Sequence, residues 1–265
     1  MENSDLPRRA FLGAAGAAAV ALLAGACWGG GGALDAAGTP GPTPAPGPTT
    51  APTAGVAPAS AGPAAFTARG SGRRAQVALT FHTSGDLAIA EQILATLSAR
   101  RVPITAFLVG QWLEANPSWA KRLTDAGHEL ANHTYTHPSF ATISPDAMRA
   151  EIIRTRDLLT RLTGKPGRLF RPSGTGDGTV RPADTVLAAA GAAGYPTVLG
   201  FDVDPLDYQS PGATAITQRT LAAATPGAVI SLHFGYPDTV AALPGILDGL
   251  SARGLTPVTA STLLA

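Results

Sequence analysis

The chain has 265 residues, 45% of them apolar, and a formal net charge of +1. That length and apolar content suffice for one large core or two small ones, while the near-neutral charge offers no footing for nucleic acid or another polyanion. The single cysteine, Cys27, excludes an internal disulfide, so stability has to come from packing.

In chain order, residues 1–27 read as an export signal. "LPRRAFLG" sets paired arginines before a run from Ala10 to Cys27 that carries no charge. Arg8–Arg9 followed by Phe11 and Leu12 resembles a twin-arginine signal. The run closes in "LAGAC", which resembles a bacterial lipobox with its leucine one place too early. A lipidated Cys27 anchored to the membrane is the expectation, ordinary cleavage the alternative. Residues 28–68 are rich in Pro, Ala, Gly and Thr, with no charge from Ala36 onward. Such a segment buries too little apolar surface to offset its ordering entropy and reads as a disordered, extended linker. The address implied is the outer face of the cytoplasmic membrane or the cell wall.

Residues 69–265 form the globular part. Strand-like runs are expected at 76–81, 104–109, 129–132, 169–171, 197–201, 228–232 and 256–259. Helical patterns fall between them at 87–101, 112–126, 144–163, 179–193, 213–224 and 237–253. Ser144 before Pro145 is a cap signal, and Gly127, Gly164, Gly194 and Gly254 each stop a helix. Strict strand–helix alternation predicts a parallel sheet covered by helices, open or rolled into a barrel. In either arrangement chemistry belongs at the carboxyl ends of the strands.

Four of the five histidines fall just there: His82, His133, His137 and His233. His128 begins a strand and reads as structural. His133 and His137, four apart in "NHTYTHP", share one side if the chain makes a helical turn, and would then hold one cation. His233 in "SLHFG" suits proton transfer near neutral pH. The carboxylates of "FDVDPLDY" could orient it. Arg171 opens "FRPSGTGDG", a glycine-rich loop that lacks the lysine of a phosphate-binding loop, so no nucleotide is expected.

"ITAFLVGQWLEANP", "GHELANHTYTHP", "FRPSG", "DVDPLDY" and "SLHF" occur in an order that resembles the polysaccharide deacetylase family, carbohydrate esterase family four. The resemblance implies a distorted seven-stranded (β/α) barrel with parallel strands. It also implies removal of acetyl groups from an envelope polysaccharide with a divalent metal, often zinc. Carried over, His133 and His137 bind the metal, Arg171 orients the base, and Asp207 tunes the general acid His233. Tyr208, where the family keeps tryptophan, and Pro172 line the substrate. The first motif departs from the family's "TFDDGP": this chain has "TFHTSGD", with His82 at the base and Thr83 at the third ligand. Asp86 could supply the missing oxygen if Gly85 eases a turn, leaving His82 as base or ligand. A shifted but working site, a catalytically impaired groove that binds glycan or acts as a scaffold, and a hydrolase of a non-sugar amide or ester are the readings to separate.

Overall fold

The computed structural model describes residues 62–265 apart from residue 84. The export signal, Cys27 and most of the expected linker lie outside the described residues. The end of that linker is corrected: Ala65–Thr67 is a strand, β1, hydrogen-bonded in parallel to residues 197–199. "AFT" has no stable partner nearby in sequence, so only a contact about 130 residues away reveals it.

The remaining strands are β2 (Gln76–His82), β3 (Thr105–Leu108), β4 (Glu129–Asn132), β5 (Leu169–Phe170), β6 (Thr197–Leu199), β7 (Val229–His233) and β8 (Thr256–Val258). All pairings are parallel, in the order β1-β6-β5-β4-β3-β2-β7, with β8 beside the start of β2. The chain leaving β6 then makes a parallel bridge from Val203 to Ile230 of β7. The sheet is thus rolled until its far strands meet, a distorted (β/α) barrel.

Side chains alternate across each strand, and this parity decides what reaches the interior. Ala78, Phe107, Ala131, Leu169, Leu199 and Val229 pack together inside the barrel, with Ala260 and Leu263 of α8 (Ala260–Leu264). Counting on by twos from those residues gives Thr80 and His82, His133, Arg171, and Ser231 and His233. The polar side chains therefore form the layer above the apolar plug. The opposite parity, with Val77, Leu79, Phe81, Ile230 and Leu232, packs against the helices.

Those helices are α1 (Leu87–Arg100), α2 (Gly110–Ala115), α3 (Ser118–Asp125), α4 (Pro145–Thr163), α5 (Asp184–Ala192), α6 (Ala213–Ala223) and α7 (Pro237–Ala252). The helix expected over 112–126 is two, because Pro117 lacks an N–H and forces Asn116 out of helical geometry (φ −132°). The helix expected from 179 starts at Asp184 instead. Asp177 folds the preceding residues into a turn by accepting from Thr179 N and Oγ1. Ser144 caps α4 as expected, accepting from Ala147 N at 3.3 Å.

Candidate active site

The polar layer floors a cleft of about 850 Å³ at the carboxyl ends of the strands. His82 and His233 are register partners on β2 and β7, so their side chains emerge side by side. Arg171 follows β5 and crosses the barrel mouth, its guanidinium 3.9 Å above the Phe107 ring. It is 2% exposed and fully engaged. Nε donates to Leu199 O, Nη2 to Gly200 O, and Nη1 to Thr80 Oγ1 and to Nε2 of His82. These acceptors are two carbonyls, a hydroxyl and an imidazole. None carries the negative charge of an aspartate.

The hydrogen-bond directions follow without ambiguity. A guanidinium can only donate, so Nε2 of His82 is the acceptor at 2.9 Å and its proton sits on Nδ1. That Nδ1–H donates to Nε2 of His233, also at 2.9 Å. His233 then carries its proton on Nδ1 and donates to Asp207 Oδ1 at 2.7 Å. The other Asp207 oxygen accepts from His233 N and Thr239 Oγ1, so the carboxylate, 0% exposed, is saturated.

This wiring corrects the expectation for His82. A general base needs a free lone pair within reach of water, and the single lone pair of His82 is spent on Arg171. It also restrains His233, because a proton on its Nε2 would face the Nδ1–H of His82.

His133 and His137 do converge. His133 Nδ1 donates to Arg171 O at 2.8 Å, which leaves Nε2 open, and Nε2 of His137 lies 3.1 Å from it. Two nitrogens so placed suit one divalent ion. The third ligand is missing. Thr83 is buried with its Oγ1 accepting from Val109 N at 2.9 Å. Asp86 is exposed, caps α1 by accepting from Ala88 N at 2.7 Å, and does not line the cleft. The expectation that Asp86 completes the metal site is therefore wrong: the helix start holds it elsewhere. Among the described residues no group of three His, Cys, Asp or Glu side chains is disposed to hold a metal ion. The residues present do not supply the family's complete ligand set.

Burial drives His82 and His133 well below the ordinary imidazole value, and neighbouring imidazoles push the same way. His137 is lowered by burial too. Burial also pushes Arg171 down to about 9, with Asp204 opposing. These shifts favour neutral rings at His82, His133 and His137, and leave Arg171 as the cation of the layer, linked through His82 and His233 to Asp207.

The cleft walls include Tyr208 and Pro172, together with Phe66, Trp112, Phe201 and Tyr236. Tyr208 is 41% exposed and its ring stands edge-on to His233 at 5.3 Å. Thr80, Thr239 and Phe66 were not singled out from sequence. Thr80 was legible, two residues before His82 on the same face. Thr239 is one helical residue among many, and Phe66 sits on the strand hidden in the linker.

The structure is thus a parallel (β/α) barrel with a histidine-rich, aromatic-rimmed cleft at its strand ends. The chain belongs to the polysaccharide deacetylase family. The family model, described as polysaccharide deacetylase, matches residues 69–198. A peptidoglycan-N-acetylglucosamine deacetylase of Bacillus cereus is 33% identical over 199 residues, covering 74% of this chain and 70% of the relative. Such relatives are hydrolases of sugar N-acetyl amides. A wild-type Bacillus anthracis protein reported as a CE4 family pseudoenzyme superposes with a TM-score of 0.69 at 29% identity, covering 76% of this chain and 69% of the other. A mutant of that pseudoenzyme reported to have restored enzymatic activity superposes with the same TM-score at 30% identity, covering 76% and 71%.

Proposed function

We propose that the domain is an envelope-tethered glycan-binding member of the family, in which deacetylation by the two-aspartate route is lost. Its ligand is an acetylated polysaccharide of N-acetylglucosamine type, in keeping with the peptidoglycan deacetylase it resembles. The observation that carries this reading is the chain Arg171–His82–His233–Asp207, which occupies the lone pair a base would use and blocks the proton an acid would donate. The cleft itself is retained, with aromatic rings on which sugar faces can stack. The proposed location rests on the export signal and linker expected from the sequence, with Cys27 as the proposed lipid anchor.

A working deacetylase is the second reading, favoured by the two converging nitrogens of His133 and His137. One experiment separates them. Purified protein is incubated with acetylated chitooligosaccharide and with peptidoglycan, with zinc or cobalt added, and both acetate release and oligosaccharide binding are measured. Binding without acetate is expected. Metal-dependent release that disappears in His133→Ala would establish the second reading, and absence of both binding and release would reject both.

A further inference from the structure

The cleft continues past the histidine layer, and β1 builds part of what it continues into. Phe66 pairs in register with Val198, which packs on the helix side of the sheet, whereas the next residue, Leu199, faces the barrel interior. Residues level with one another on paired strands share a face. The Phe66 ring therefore stands across the sheet from Arg171 and the histidines. It still lines the cleft, because the cavity passes over Gly200 and Phe201 at the end of β6.

Two glycines make the room. A β-carbon on Gly200 would lie 2.0 Å from Gly178 O and 3.1 Å from the Phe66 ring, and one on Gly178 would lie 2.5 Å from the Phe201 ring. The loop after β5 can thus settle on Phe201, whose N donates to Gly178 O at 3.2 Å. The turn closed by Asp177 and Thr179 then presents Val180, which is 60% exposed. Among the described residues the large apolar side chains left exposed are Leu87, Val180 and Tyr208, and the last two line the cleft. Exposed apolar surface gathered at a cavity marks a place of contact. With Pro182, the rings of Phe66 and Phe201 and the Val180 side chain wall an apolar annex. β1 is pinned in place by Ala65 N on Pro196 O at 2.9 Å and Gly200 N on Thr67 O at 2.8 Å. It precedes residues 69–198, the part matched by the family model, so this wall lies outside the shared pattern.

We propose that the annex is a second subsite, which seats a further sugar ring of the polysaccharide against Phe66, Phe201 and Val180. The inference rests on the glycan-binding reading above. A sugar ring has an apolar face and a rim of hydroxyls. Asp177 lines the cleft beside Gly178, with Oδ1 taken by Thr179 and its other oxygen open to a hydroxyl. An acyl chain would gain nothing from that carboxylate and would pay to desolvate it. The cleft's 850 Å³ is near the top of the range of small-molecule sites, about 300–1,000 Å³, in keeping with more than one ring.

The test is a calorimetric titration of the full chain with acetylated chitobiose and chitohexaose, without added metal, beside thermal unfolding. The parent should bind the hexaose more tightly than the biose. Phe66→Ala should weaken hexaose binding by about two- to tenfold, the scale of one ring contact, and leave the biose unchanged. Val180→Ser should act in the same direction, and because that side chain is largely exposed it keeps the test decisive should the Phe66 variant unfold. A parent that binds neither sugar would reject the glycan-binding reading, and the subsite with it. A parent that binds both equally, or folded variants that match it on the hexaose or weaken the two sugars alike, would overturn the subsite and leave that reading standing.

Discussion

Arg171 donates to His82 at 2.9 Å, and that contact sets the state of every ring beyond it. In the family's motif this place belongs to an aspartate, an acceptor that keeps lone pairs to spare after binding the guanidinium. An imidazole has one, and the contact consumes it. The double change His82→Asp, Thr83→Asp should therefore bring back both a base and a third metal ligand. We expect zinc- or cobalt-dependent acetate release at least about a hundredfold above the parent, the low end of what a positioned base contributes. Each single change should stay near background. A double variant that binds zinc but releases no acetate would show that the block lies elsewhere.

The same guanidinium is a structural keystone. Replacing Arg171 with Met leaves Leu199 O, Gly200 O and Nε2 of His82 without their buried donor. At about 1–3 kcal/mol for each unsatisfied group, the loss should reach about 3 kcal/mol or more in urea unfolding. Lysine should not rescue it, because one ammonium cannot span acceptors fixed for a planar fork.

Acid should weaken the fold. The folded-state values of His82 and His133 lie below the unfolded value of 6.5. The unfolded chain therefore takes up protons that the folded chain refuses. Stability is at its full value above about pH 6.5 and erodes as pH falls below it, by up to about 1.4 kcal/mol per pH unit for each such ring. Urea unfolding at pH 7.5 and 5.5 should show the drop, and His133→Gln should make it shallower. Equal stability at the two pH values would contradict the burial of neutral rings.

Asp86 should behave as a cap and nothing more. Asp86→Ala should cost about 1 kcal/mol of stability and leave zinc affinity and oligosaccharide binding unchanged. A loss of zinc binding would place its carboxylate in the cleft after all.

Much of the barrel could be read from hydrophobic runs alone: β2 through β8 all lie where strand-like segments were expected, and the glycine stops at Gly164 and Gly254 hold with positive φ. β1 and α8 were missed for one reason. Each is short and depends on distant partners, β1 on β6 and α8 on Thr105 and Glu129. In the site, the histidines at strand ends were visible because parity and position both come from sequence. Asp86 was misread although its place, one residue before an apolar helix, is itself a cap signal. The locking of His82 was out of reach, since it depends on which nitrogen faces Arg171 across the barrel.

The bridge between Val203 and Ile230 is narrow. Val203 N reaches Val229 O at 3.2 Å and Ser231 N reaches Val203 O at 2.9 Å, reinforced by Val229 N on Asp202 Oδ1 at 2.7 Å. Four residues beyond this seam stands Asp207, the anchor of His233. The stretch that closes the barrel is therefore the same stretch that brings the buried carboxylate beneath the cleft.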